Sequence, residues 1–176
     1  MGEIFNPAPV LLILAASSRY AEAIEWARQR GAERYGCIAL ASNAFDFTET
    51  DYYTATMGSG LKKQFFAFER LIDPAALADI KRQTNDWEAE YAALARHPEP
   101  RPLNLDPGYI TPAKLVLAST KDHAHRIYLR DGIYAEVTLA YRQRHWQPLE
   151  WTYPDYRRDD YQRFFTQCRD RLLAGR

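Results

Sequence analysis

The residues of this sequence best suited to do chemistry are two histidines and a glutamate, His123, His125 and Glu136, on either side of the dipeptide Asp131-Gly132. Asp-Gly between alternating apolar residues is a strong signal for a two-residue β-hairpin turn. With Arg130 paired to Ile133 across that turn, counting outward sets Tyr128 opposite Ala135, Ile127 opposite Glu136 and His125 opposite Thr138. His123 and His125, on alternate positions of one strand, then project from the same face, with Glu136 a diagonal neighbour of His125 roughly 7–8 Å away between backbones. A histidine beside a carboxylate suits general acid–base work near neutral pH, and His123, His125 and Glu136 together suit a divalent transition metal. A half-exposed strand face with one hydrogen-bonded histidine explains the same residues without chemistry.

Other polar groups flank the hairpin: Asn104, Asp106, Tyr109, Lys114, Thr120-Lys121-Asp122 and Tyr153-Pro154-Asp155-Tyr156. Loops held by rigid strands are where binding residues tend to sit. Arg126, Arg130, Arg142 and Arg144 outnumber the local acids and suit a phosphate, although a solvated strand edge accounts equally well for Arg142 and Arg144. Hairpin counting points Arg126 to the face opposite His125, so a shared pocket requires a bulge or a sheet edge. Gly58-Ser59-Gly60-Leu61-Lys62-Lys63 lacks the spacing of a phosphate-wrapping loop and reads as a turn. No G-x-S-x-G, HExxH or Cys-x-x-Cys stands in the chain, which removes the usual support for hydrolase, zincin and thioredoxin readings.

The elements that must position these groups follow from apolar periodicity. Val10 to Ser17 is a continuous apolar run, as in a buried central strand, with Ser17 or Ser18 capping a helix over about Tyr20 to Arg30 that stops at Gly31. Gly36 to Phe45, Tyr52 to Met57 and Leu61 to Arg70 read as strands. Asp73-Pro74 starts a long helix whose buried stripe is Leu77, Ile80, Thr84, Trp87, Tyr91 and Leu94. His97 to Pro112 carries five prolines and reads as an extended loop, an interdomain linker being the alternative, with Asp106-Pro107-Gly108-Tyr109 as a β-turn within it. Lys114 to Ser119, the hairpin from His123 to Tyr141 and His145 to Tyr153 complete the strands. A last helix over Asp159 to Leu173 buries Tyr161, Phe164, Phe165, Cys168 and Leu172. The expected fold is α+β: a mainly antiparallel sheet flanked by about three helices, with a ferredoxin-like core and additions, in one domain over residues 1–176.

Composition bounds the function. The 176 residues hold 23 basic and 23 acidic side chains, so no general field draws a nucleic-acid backbone or an anionic lipid surface, and any anion site must be local. Val10 to Ala16 is too short to span a bilayer and follows Gly2 and Glu3 instead of a cationic leader, so a cytoplasmic protein is expected. Cys37 and Cys168 match no metal or disulfide spacing and read as buried free thiols.

The strings Phe45-Asp46-Phe47-Thr48, Met57-Gly58, Phe68-Glu69-Arg70-Leu71-Ile72, Asn104 to Tyr109, Thr120 to Leu129, Gly132 to Leu139 and Trp151 to Tyr156 closely resemble a bacterial family known as a domain of unknown function, number 4416. That pattern tends to carry glutamates where this chain has Thr54 and Thr56, and an aromatic residue where it has His123, which weakens the two-histidine metal site. The resemblance implies nucleotide binding as an alternative, but no guanine-reading Asn-Lys-x-Asp is present. The leading expectation is a small anionic metabolite, phosphorylated in the first instance, bound or acted on in a pocket. There His125, Glu136, Asp106 and Lys121 would do the chemistry and Arg126, Tyr109, Lys114, Tyr153 and Asp155 would hold the ligand, with a divalent ion as the cofactor to consider. A GTP-binding regulatory module and a protein-interaction module are the alternatives.

Overall fold

The structure, a computed structural model, describes residues 2–50 and 52–175. Nine strands form one antiparallel sheet: β1 (Leu11–Ser18), β2 (Ile38–Ala41), β3 (Phe45–Asp46), β4 (Lys62–Phe68), β5 (Asn104–Ile110), β6 (Lys114–Ser119), β7 (Ile127–Arg130), β8 (Ile133–Arg142) and β9 (His145–Pro148). The helices are α1 (Ala21–Tyr35), the single turn α2 (Thr54–Met57), α3 (Leu77–Ala93) and α4 (Asp159–Ala174). Strand order is β2-β4-β1-β5-β6-β8-β7, with β3 beside β4 and β9 beside β8. The part β2-β4-β1-β5, with α1 and α3 on one face, is the ferredoxin-like arrangement; β6 to β9 widen the sheet and α4 covers the second face.

β1 is buried along its whole length because both of its faces are covered. Leu12, Leu14 and Ala16 pack with Ile24, Ala27, Ile80, Trp87 and Tyr91 of α1 and α3. Leu11, Ile13 and Ala15, one residue out of phase, pack with Phe164, Phe165, Cys168 and Leu172 of α4. Asp73 opens the α3 region as its chemistry requires, its carboxylate accepting from the Ala75 N–H at 2.8 Å.

Several elements differ from the sequence reading. α1 runs through Gly31 to Tyr35 and ends at Gly36, whose φ of +94° supplies the left-handed stop. Gly31 instead lets the helix approach the sheet: a Cβ there would lie 2.8 Å from the Phe68 ring. Tyr52 to Met57 holds the turn α2, not a strand. Cys37 is exposed, while Cys168 is buried and its thiol is pushed up by that burial. The largest departure is the proline-rich segment: residues 104–110 are β5, a central strand, neither loop nor linker, and Asp106 to Tyr109 is no turn. Pro107 is tolerated because it faces Leu14 of β1 on one side while the ladder to β6 begins only at Gly108.

That irregularity opens the sheet. β5 stays paired with β1 down to Asn104, and β6 stays paired with β8 down to Ser119, but β5 and β6 pair only from Gly108 to Ile110. Towards Asn104 and Ser119 the two halves diverge as the prongs of a fork. Gly108 sits where they meet, and a Cβ there would lie 2.3 Å from the Val116 carbonyl oxygen.

Candidate functional site

A cavity of about 840 Å³ fills the fork. Its walls are the ends of the strands: Lys63 of β4, Asn104 and Asp106 of β5, Leu117 to Ser119 of β6 and Glu136 of β8, with Lys81 and Asn85 reaching in from α3. Three segments roof it: Phe47, Glu49, Thr50, Tyr52 and Tyr53 before α2, Thr120 to Arg126 before β7, and the 3-10 turn Pro154–Arg157 before α4.

Three ion pairs build these walls. Lys63 and Asp155 meet at 2.5 Å with side chains 4% and 5% exposed, and the Lys63 ammonium lies 3.8 Å from the centre of the Phe47 ring. Lys81 donates to the Leu105 carbonyl at 2.7 Å and to Asp106 at 3.2 Å, while Asn104 donates to the other Asp106 oxygen at 2.6 Å. Burial works to raise the Asp106 carboxyl, but Lys81, Lys63 and the Asn104 hydrogen bond outweigh it and hold the group below its usual value. Arg126 donates from Nε to Glu136 at 2.8 Å, from Nη1 to Ser119 Oγ at 2.6 Å and the Lys121 carbonyl at 3.0 Å, and from Nη2 to Tyr153 at 2.8 Å. The planar guanidinium thereby ties β6, β8 and two roof segments together. Burial opposes its charge, but Glu136 and Tyr153 keep its pKa above the ordinary arginine value.

Glu136 is a hub, also accepting from Thr138 Oγ1 at 3.2 Å and lying 3.1 Å from His125 Nε2. The hairpin geometry behind this contact is not the counted one. Asp131 and Gly132 turn the chain with φ of +53° and +75° and Arg130 pairs with Ile133, but an irregularity between Tyr128 and Arg130 moves the register by one, setting Ile127 opposite Ala135. Strand pairing then stops, and His123 to Arg126 is a turn closed by the Arg126 N–H to the His123 carbonyl at 2.9 Å. Arg126 and His125 can therefore both reach Glu136, which regular alternation forbids. The two histidine rings stack, 5.8 Å between centroids, and His125 stacks on Trp151 at 5.3 Å. Face-to-face rings do not converge their nitrogens on one point, and among the described residues no three His, Cys, Asp or Glu side chains are placed to hold a metal ion. The His123, His125 and Glu136 metal set is thus not assembled.

Of the residues expected at the site, Asp106, Lys121, His123, Arg126, Glu136, Tyr153 and Asp155 line the cavity. His125 touches Glu136 without lining it. Tyr109 packs on the α3 side of the sheet, and exposed Lys114 stands at the far end of β6 from Ser119, about 16 Å away at strand spacing. Tyr109 is expected near the ligand only if residues 104–110 form a loop, and Lys114 only from its place beside the hairpin in the sequence. The sequence reading missed Lys63, Lys81, Arg101 and the aromatic roof of Phe47, Tyr52 and Tyr53. Lys81 had a visible signal: it falls four residues after Leu77 and three before Thr84, on the buried face of α3.

Fold and site together define an α+β protein with a ferredoxin-like core, extended by a second antiparallel half-sheet, that carries a charged cavity where the halves part. Residues 8–172 match the family described as a domain of unknown function, DUF4416, and the chain belongs to that family. No curated protein and no solved structure matches the chain. Among the described residues no helix is long and apolar enough to cross a membrane.

Proposed function

We propose that this protein binds a small anionic metabolite, phosphorylated in the first instance, in the cavity of the fork. The observation that carries the reading is the convergence of three ion pairs, Lys63–Asp155, Lys81–Asp106 and Arg126–Glu136, on one cavity. Buried ion pairs return little stability for their desolvation, so two of them, with a third whose Asp106 is 29% exposed, around a single space argue for a ligand. The charge balance favours an anion. Among the described residues the lining has five cationic side chains, Lys63, Lys81, Arg101, Lys121 and Arg126, against four carboxylates, Glu49, Asp106, Glu136 and Asp155. Glu49 and Arg101 are engaged from outside the lining, by Arg158 at 2.7 Å and by Glu88 at 2.8 Å, and the remaining four cations against three carboxylates keep an excess of one.

If the bound metabolite is also transformed, Glu136 is the group to move a proton, and His125, 23% exposed behind it, connects it to solvent. A nucleotide is the second reading, favoured by Phe47, Tyr52 and Tyr53, which offer ring faces beside the cations. The test is a thermal melt against inorganic phosphate, sugar phosphates and nucleoside phosphates. A ligand at a hundred times its dissociation constant adds about 2.7 kcal/mol, hence about 5–11 °C for a chain of this size. A melting temperature unmoved by all three classes at millimolar concentration would overturn the proposal.

A further inference from the structure

Two buried phenols, Tyr156 and Tyr161, carry hydroxyls with no hydrogen-bond partner among the described residues. Both belong to the α4-side core, and they are 3% and 0% exposed. A buried hydroxyl left unpaired is costly, and such groups are few in folded proteins. The two differ in one respect: Tyr156 lines the cavity and Tyr161 does not.

The Tyr156 ring has little freedom. It stacks on Phe165 at 5.9 Å with an interplanar angle of 10°, meets Phe65 edge-on at 6.0 Å, and its backbone is fixed in the 3-10 turn by its N–H to the Tyr153 carbonyl at 3.1 Å. The Lys63 ammonium stands 5.3 Å from its ring centroid. Burial and the fields of Asp155, Asp106 and Glu136 push its pKa far up, so it stays a neutral phenol and a hydrogen-bond donor at every pH of interest. The hydroxyl is buried and unpartnered, and Asp155, Asp106 and Glu136, whose fields it feels, are already engaged by Lys63, Lys81 and Arg126, which leaves the cavity that Tyr156 lines as the place for a partner.

We infer that the Tyr156 hydroxyl is a ligand-binding group, donating to an oxygen of the bound molecule's phosphate or carboxylate, with Lys63 as the neighbouring positive charge. This places the anionic end of the ligand between β4 and the turn before α4, where Lys63 and Tyr156 stand together. The inference rests on the metabolite-binding reading and makes it specific.

The experiment compares wild type with Tyr156→Phe and Tyr161→Phe, each melted without ligand and titrated by calorimetry with inorganic phosphate and, in a separate arm, citrate. Each substitution removes an unpaired hydroxyl and keeps the ring, so both unliganded variants should melt at or above the wild-type temperature. Tyr156→Phe should bind the anion at least tenfold more weakly, and Tyr161→Phe within twofold of wild type. The arm that responds identifies phosphate or carboxylate as the recognised group. If wild type binds and Tyr156→Phe binds within twofold of it, the inference fails while the metabolite-binding reading stands. An unliganded Tyr156→Phe melting well below Tyr161→Phe gives the hydroxyl a structural partner and also overturns the inference. If wild type responds to neither anion, the inference falls, and the metabolite-binding reading falls with it only if the sugar phosphates and nucleoside phosphates also leave the melt unmoved.

Discussion

The Lys63–Asp155 pair allows a test of whether charge is buried in this protein for stability or for the cavity. Lys63→Met removes the ammonium and leaves the Asp155 carboxylate, only 5% exposed, without its partner 2.5 Å away. Orphaning one member of a buried ion pair costs about 3–5 kcal/mol. At about 2–4 °C per kcal/mol for a domain of this length, the melting temperature should fall by about 6–20 °C. Methionine keeps contact with the Phe47 ring, so loss of the cation–π contact there contributes only the smaller part. The double variant Lys63→Met, Asp155→Leu removes both charges and fills their volume with apolar atoms, a change expected to range from neutral to about 4 kcal/mol stabilising. Urea denaturation of the two singles and the double at neutral pH closes the thermodynamic cycle, and the phosphate melt reports binding on the same samples. The expected outcome is a double variant as stable as wild type, or more so, that no longer responds to phosphate. A double variant as unstable as Lys63→Met would refute the reasoning, because the pair would then be a net stabiliser of the fold. Full phosphate response in the double variant would refute it from the other side.

Two further substitutions probe the fork and its acid. Gly108→Ala places a Cβ 2.3 Å from the Val116 carbonyl oxygen, at the edge of the three residue pairs that join β5 to β6, and should cost about 1–3 kcal/mol in urea denaturation and weaken the phosphate response; a cost under about 0.5 kcal/mol would contradict so close an approach. The folded pKa of Asp106 lies below its unfolded value, so its charge stabilises above about pH 4, and that contribution disappears as the pH falls through the lower folded value. Lys81→Met should therefore lower the melting temperature most at neutral pH, with the gap to wild type closing on acidification. A gap that stays constant down to about pH 2.5 would mean that Lys81 acts through packing alone.

What the sequence made legible was periodic. The five buried residues of α4 follow directly from helical spacing, as does most of the α3 stripe, where only Leu94 turns out to be exposed. β1 was visible as an unbroken apolar run, and the Asp131-Gly132 turn by its dipeptide. What failed was local, and in each case a tertiary feature overrode a sound rule. Proline is excluded from a central strand where the neighbouring strand on its nitrogen side needs an N–H, but at Pro107 the ladder to β6 has already ended. Counting register from a hairpin turn assumes no bulge, and one irregular residue before Arg130, followed by the turn at His123 to Arg126, broke the count. The contact between His125 and Glu136 therefore exists for a reason other than the strand alternation that suggested it. A lone lysine in an apolar pattern, such as Lys63 or Lys81, is ordinarily a surface residue, and only the fork gives these two a carboxylate partner.

The placement of the charges follows from the same geometry. Along the α4 face each strand begins apolar and changes character at the forked end: Leu11, Ile13 and Ala15 lead to Ser17 in β1, Ala67 and Phe65 to Lys63 in β4, and Leu115 and Leu117 to Ser119 in β6. An apolar residue at those last positions would face a space that neither prong closes, because β5 and β6 share no backbone hydrogen bonds there and α4 ends its packing at Tyr161 and Phe164. A charged residue needs a partner from a covering element, and each ion pair supplies one: the turn before α4 to β4, α3 to β5, and the turn before β7 to β8. The pairs thus fasten each prong to a cover, and the prongs are joined at this end through the turn before α4, where Tyr153 accepts from Arg126 at 2.8 Å and Asp155 holds Lys63. A ligand anion shared between Lys63 of β4 and Arg126 of the turn before β7 would add a direct link to this indirect one, so binding should tighten the fork as well as fill it.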